Sequence, residues 1–467
     1  MKTAFRKHLT ELQKHWILCL VILLVFSCQQ NRQDNQVYTA IKNVTIIDGT
    51  GGTVQENMVI LLKDSIIQDI QPIDDYDFPP NTEIIDAAGK YVIPGLIDVH
   101  AHVTVLGFDQ NLGISDKIDW EASLQSLKTM LQYGITTVRN VAAPTNEGIL
   151  IRDSVAKANL PSPTIYTSGA ALNKSTHTAF ISTKTEEEVR IEVRNQVEKG
   201  VDLIKVYAGL EPPLVKAAID EAHKQGVPVI GHLQNTTWTE AAEMGIDFIT
   251  HAGNWNGYYL DDVDQKKYAP TMKGRLDWIE WIDLHGSKVR EMLDVMYKNG
   301  VSVDPTLIVF HTKFWAEDSV YRHNEKLAEV HPTILDLWNA FSFVSDWTDE
   351  DFKRGQSLWP KLASLTKAMY DRGIMLTAGS DFPNPWVMPG LALHQEMALM
   401  VQAGIPVNEV IKIATLNGAK ALRIDRTHGS LEVGKVADIL ILNKNPLEDI
   451  FNTKSIAGVM VQGKLFE

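Results

Sequence analysis

A chain of 467 residues with a hydrophobic fraction of 45% is long enough for one large domain plus a smaller one, which excludes wholesale disorder. Its formal net charge of −14 excludes nucleic acid as a partner, because phosphate contacts need a basic face. Of the two cysteines, Cys19 and Cys28, the first falls in an apparent export signal, which leaves the mature chain no disulfide.

The N-terminus sets a basic stretch, KTAFRKHLTELQKHW, before the apolar run ILCLVILLVF and Ser27-Cys28. Residues 1–27 read as an export signal, since the apolar run is too short to span a bilayer comfortably as a mature helix. VFSCQQN resembles a bacterial lipobox, with Phe26 where a small residue is usual and Cys28 as the residue to be lipidated. The expectation is a lipoprotein of the bacterial cell envelope, facing the periplasm or the exterior and touching the membrane through its lipid anchor only. An uncleaved anchor or a plain secretory signal are the alternatives. Residues 28–36 form a polar tether.

Next come short β-rich pieces, AIKNVTIIDG, NMVILLKDSIIQDIQP and TEIIDAAGKYVIPG, separated by turn residues. The C-terminus looks alike, with GSLEVGKVADILILNKNP and IAGVMVQGKLFE. The two ends, residues 37–90 and 428–467, are expected to build one small β-sandwich domain together.

Between them, residues 91–427 repeat a phrase in which a helical segment stops at Gly and an apolar strand starts at once. It occurs in LQYGITTVRN, VEKGVDLIKVYA, HKQGVPVIGHLQ, AEMGIDFITHAG, YKNGVSVDPTLIVF and YDRGIMLTAGSDF. Thr185 and Glu188 add a capping-box signature before one of these helices. With YVIPGLIDVHAHV and PTIYTSG there are eight strands alternating with helices, the count of an α/β, (β/α)8 TIM-type barrel. No Gly-rich phosphate loop follows the first strand, which disfavours an open doubly wound sheet. Segments 254–286 and 311–356, rich in Trp, Tyr and Asp, interrupt the pattern after the sixth and seventh strands, where loops overlie the barrel mouth.

His100 and His102 alternate onto one side of the first strand. His-x-His alone is a weak signal in a chain with 14 His, but both lie at the strand end where barrels place their chemistry. His232 after the fifth strand, His251 after the sixth and Asp381 after the eighth fall at the same level. Each could be a satisfied polar group at a strand end; four imidazoles and a carboxylate at one mouth suit zinc or a similar divalent ion. Lys205, in the middle of VDLIKVYAGL, is a cation in a strand that should be buried, an expensive placement unless it loses its charge.

PGLIDVHAHV, GITTVRN, GHLQ, ITHAG, AGSD and GSLEVGKVADILIL, in this order, resemble the amidohydrolase superfamily, and within it the imidazolonepropionase-like and prolidase-like members, over roughly residues 40–467. The resemblance implies a metal-dependent hydrolase of amide bonds, in a dipeptide or an N-acyl amino acid. It implies that Lys205 reacts with CO2 to form a carbamate bridging two divalent ions, with His100, His102 and Asp381 on the first ion and His232 and His251 on the second. A hydroxide held between the ions would attack, and Asp381 would carry its proton to the leaving nitrogen. His177, where relatives often show Gly-Gly-His-Gly, is expected to take a catalytic or substrate-binding role. Tyr207, on the same strand face as Lys205, is a substrate-binding candidate, with core packing as its alternative. Arg139 ends the second strand, where relatives read Arg-Asp; here Asn140 replaces the acid. His223 reads as a surface residue, and His285, His311, His323 and His331, in the insertions, as candidates for lining the mouth. A mononuclear imidazolonepropionase-type enzyme, a lactonase or phosphotriesterase, and a non-catalytic binding lipoprotein on the same barrel stay open, as do substrate, metal and any homo-oligomer.

Overall fold

The computed structural model describes residues 38–109, 113–158, 160–175 and 179–466. The signal, Cys28, the tether and His177 lie outside the described residues.

Strands from the two ends of the chain share one eight-stranded sheet. Tyr38–Ile46, Gln55–Lys63, Ile66–Pro72, Glu83–Asp86 and Tyr91–Pro94 come from the N-terminal side, Ile439–Leu442, Ile456–Val461 and Lys464–Phe466 from the C-terminal side. The join is antiparallel, Tyr91–Pro94 against Ile439–Leu442. Period-2 alternation explains how this sheet is covered. Ile41, Ile60, Leu62, Val92, Ile439 and Ile441 share one buried cluster, and Ala40, Val59 and Leu61 pack with Tyr76 and Phe78 on the other side.

Eight further strands are parallel: β1 (Leu96–Ala101), β2 (Ile135–Asn140), β3 (Thr164–Thr167), β4 (Ile204–Val206), β5 (Val229–Gly231), β6 (Phe248–Thr250), β7 (Ser302–Asp304) and β8 (Met375–Leu376). β1, β2 and β3 pair in turn, as do β4 to β8. Two parallel bridges join the runs, Ser168 to Leu203 and Ala101 to Phe382. The strands therefore follow one another in a closed circuit compatible with a TIM-type barrel. The Gly stops behave as the sequence implies: Gly200 (φ 94°) ends helix Glu186–Lys199, and Gly373 (φ 88°) ends Asp349–Arg372. The capping box of Thr185 and Glu188 forms at the start of the former.

Two boundaries differ from the sequence reading. YVIPGLIDVHAHV is not one strand: Tyr91–Pro94 pairs in the terminal sheet, and the chain crosses at Gly95 into β1. The second insertion also starts earlier. Helix Leu307–Phe314 follows β7 closely, because LIVFHTKF is an apolar helix whereas the sequence reading carried the strand on to Phe310.

Candidate active site

The ends of β1 and of the segment after β8 are locked together before any ligand is considered. Asp98 accepts hydrogen bonds from the His100 amide (3.1 Å), the Ser380 amide (3.0 Å) and Ser380 Oγ (2.6 Å). Burial pushes its carboxyl up to about 6, against the pull of those bonds. Gly379 sits so close that a Cβ there would lie 2.6 Å from His100 Cβ, which explains the glycine of AGSD. Asp381 is thereby set opposite His100.

His100, His102, Lys205, Tyr207, His232, His251 and Asp381 line one cavity of about 210 Å³. Asp381 Oδ1 lies 3.0 Å from His102 Nε2 and 3.3 Å from His100 Nε2, and the three side chains could hold one ion. His232 Nδ1 and His251 Nε2 converge to 2.8 Å, while the other nitrogen of His251 meets Thr306 Oγ1 at 2.8 Å. Lys205 is buried between these groups, and its Nζ has no hydrogen-bond partner among the described residues. His251 (φ 76°) and Asp381 (φ 57°) both hold left-handed backbone, a local cost of about 1–3 kcal/mol each that rigid surroundings must sustain.

The electrostatics suit ligands. Burial, with His232 beside one ring and Lys205 beside the other, keeps His251 and His232 well below the usual imidazole range, so both are neutral with a lone pair to offer. Burial disfavours charge on His100 too, but Asp381 and Asp304 outweigh it and raise that ring. Burial likewise works against the Asp381 anion, and His100, His102 and His251 reverse it, holding the carboxyl well below its ordinary value. Burial brings Lys205 down to about 8, against the attraction of Asp304 and Asp381. Two imidazole sets and a carboxylate around an orphaned amine fit cations: the histidines now packed nitrogen to nitrogen would face an ion in place of one another.

A model of the amidohydrolase family matches residues 91–466. The chain belongs to the amidohydrolase family. This amidohydrolase is therefore a hydrolase acting on carbon–nitrogen bonds, in a family that is typically metal-dependent. The imidazolonepropionase of Clostridium tetani is 23% identical over 404 residues, covering 83% of this chain and 85% of that one. That of Pseudomonas savastanoi pv. phaseolicola is 25% identical over 402 residues, with 83% and 88% covered. Among solved structures, a Xaa-Pro dipeptidase with methionine bound in its active site superposes with a TM-score of 0.67 at 24% identity, covering 92% of this chain and all of that one. Aspergillus niger ochratoxinase gives 0.68 at 21%, with 92% and 96% covered. These structural likenesses show the fold.

Within the amidohydrolase site, Tyr207 is a wall of the cavity, its ring 4.4 Å from that of His232 and 4.5 Å from Phe180. Burial pushes its phenol up to about 12. Arg139 lies beneath, donating to the Val99 carbonyl and stacking 4.9 Å over Phe248, so the acid missing at Asn140 is not replaced by another direct ion pair among the described residues. Asn140 instead bonds the Val103 amide, Thr104 and Thr167. His223 is on the surface and pairs with Asp247 at 2.7 Å. The insertion histidines do not line the cavity: His311 stacks on Trp315, His331 caps helix Pro332–Ala340, and His285 and His323 lie elsewhere.

Asp304, Arg275, Lys313 and Glu396 were not anticipated. Asp304 ends β7 at the same level as the other strand-end residues, so the rule that found His232 would have found it. Arg275 and Lys313 reach the cavity from the two insertions. Lys313 carried the same signal as Lys205, a lone cation in an apolar stretch, LIVFHTKF. Glu396, buried on helix Leu391–Gln402, accepts a 2.7 Å bond from the Ile308 amide.

Proposed function

We propose that this amidohydrolase cleaves an amide bond in a dipeptide or N-acyl amino acid, using two zinc-like divalent ions bridged by a carbamate on Lys205. The orphaned Lys205 Nζ, buried between two sets of ligands with its basicity lowered, carries this reading. A neutral amine attacks CO2 and gives up a proton, which turns a buried cation into an anionic ligand. His100, His102 and Asp381 would hold one ion, His232 and His251 the other. When bound, the ions supply an activated water and polarise the scissile carbonyl. The protein's own part is then to position and to move protons. Asp381 takes the proton of the attacking water and returns it to the leaving nitrogen. Tyr207 offers a phenol O–H to the substrate from the adjacent wall, and Thr306 and Asp304 fix the rings of His251 and His100.

A single-ion, imidazolonepropionase-type site is the second reading, favoured by the curated relatives and by the complete set formed by His100, His102 and Asp381. Metal analysis with a dipeptide-library screen separates the two: two ions per chain and dipeptide turnover support the first, one ion the second, and none the binding-protein alternative. A lactone or phosphotriester substrate would emerge from the same screen extended to esters.

The same proposal places the protein in the bacterial cell envelope, anchored by lipid on Cys28, with residues 37–90 and 428–467 as a separate β-sandwich domain. Cys28→Ser is expected to move the protein out of the membrane fraction or leave its signal uncleaved; unchanged fractionation and processing would count against the anchor.

A further inference from the structure

Two basic side chains, Arg275 and Lys313, face the catalytic cavity. Arg275, from helix Met272–Trp281 of the first insertion, and Lys313, from helix Leu307–Phe314, line it alongside the ligand residues, and both also line a smaller pocket against Trp255, Phe314 and Trp347. Among the described residues neither makes a salt bridge or a side-chain hydrogen bond. Arg275 lies 5.3 Å over Trp255, and Lys313 lies 4.7 Å over Phe343 and 5.5 Å over Phe310. Aromatic faces offset part of the cost of drawing a cation from water, but not the repulsion between two cations on one wall. The carboxylate of the cavity, Asp381, is committed to His100 and His102.

We infer that Arg275 and Lys313 form a carboxylate clamp that selects substrates with a free carboxylate next to an apolar side chain. The inference rests on the amide-hydrolase reading and adds which atoms choose the substrate. Guanidinium presents a planar fork to a carboxylate, ammonium a point charge, and together they hold one anion in a fixed orientation. Phe180, Phe310, Phe343, Val309 and Met272 supply apolar walls for the side chain. The ligand groups stand on strand ends and the clamp on insertion helices, so chemistry and selection occupy separate parts of the chain. Burial and the nearby Arg275 charge lower Lys313 to about 7, against the attraction of Asp381.

Isothermal titration of the zinc-loaded full chain with N-acetyl-L-phenylalanine and with N-acetyl-L-phenylalaninamide tests this. The acid is expected to bind at least about tenfold more tightly than the amide, the scale of one charge-assisted contact. Lys313→Met and Arg275→Met are each expected to erase most of that ratio while leaving the amide's affinity nearly unchanged, and Lys313→Arg to keep it. Equal binding of acid and amide by the wild type, no binding of the acid, or a ratio that survives in both Met variants overturns the clamp. The last result would mean that the carboxylate sits on the ions. Hydrolysis is read separately on the same samples, so absent turnover with an intact acid preference fails the hydrolase reading and keeps the clamp.

Discussion

Asp304 Oδ2 lies 2.5 Å from Nδ1 of His100, on the ring nitrogen opposite the Nε2 that faces Asp381. The carboxylate therefore orients the His100 ring so that its Nε2 faces Asp381 and the proposed ion. Asp304→Asn keeps the shape and removes the charge. Metal affinity is expected to fall by roughly 10–100-fold, with near-wild-type folding, in a chelator competition followed by circular dichroism. Unchanged affinity would reduce Asp304 to a packing residue.

For Lys205 the expectation is sharper. On the proposed carbamate bridge, Lys205→Ala would lose the group that joins the ions, so metal content should drop and turnover should largely vanish. Added propionate should restore part of both, by placing a carboxylate where the proposed carbamate would sit. Full metal content and full turnover in the variant would remove the bridge from the mechanism.

Glu396 supplies a pH test away from the ligands. Burial pushes its carboxyl up to about 8, with the Ile308 and Leu307 amides opposing and Asp304 and Asp98 adding to the rise. The folded chain thus holds a proton that the unfolded chain releases near its ordinary value of 4.5. This contribution to stability is complete below that value, is lost progressively as pH rises toward 8, and changes no further above it. Glu396→Gln should flatten the decline in melting temperature between those limits. A variant with the wild-type slope would show that Glu396 is already ionised.

The order of strands, their Gly stops and the level of the ligand residues were legible because each follows from local rules. Gly200 ends a helix for want of a Cβ, and His232 and His251 follow directly on buried runs. The split at Gly95 was not, since the apolar runs YVIP and LI stand on either side of it and only sheet pairing decides which half belongs where. Arg275 was equally hidden: its helix, MKGRLDWIEW, reads as an ordinary mixed surface segment, and only the packing of the insertion turns that side chain into the cavity. Asp304 was legible by the strand-end rule, since it ends its strand at the level of Thr250, one residue before His251.

The proposed mechanism gives Asp381 two roles, to hold an ion with His100 and His102 and to carry a proton, and the two can be separated. Its carboxylate is held well below the ordinary range by the three surrounding imidazoles once burial is overcome, so at neutral pH it is an acceptor. Asp381→Asn keeps the side-chain size and one oxygen for the ion but cannot take up a proton. A lost general base costs roughly 10²–10⁴ in rate, so kcat should fall by that much or more. KM should move little, because Arg275, Lys313, Tyr207 and the apolar walls are untouched. Metal content has to be measured on the same sample, since loss of the ion would imitate loss of the base. A near-normal kcat with the ions in place would give the proton to another group, and His177→Ala, compared with Tyr207→Phe under the same conditions, would then find it.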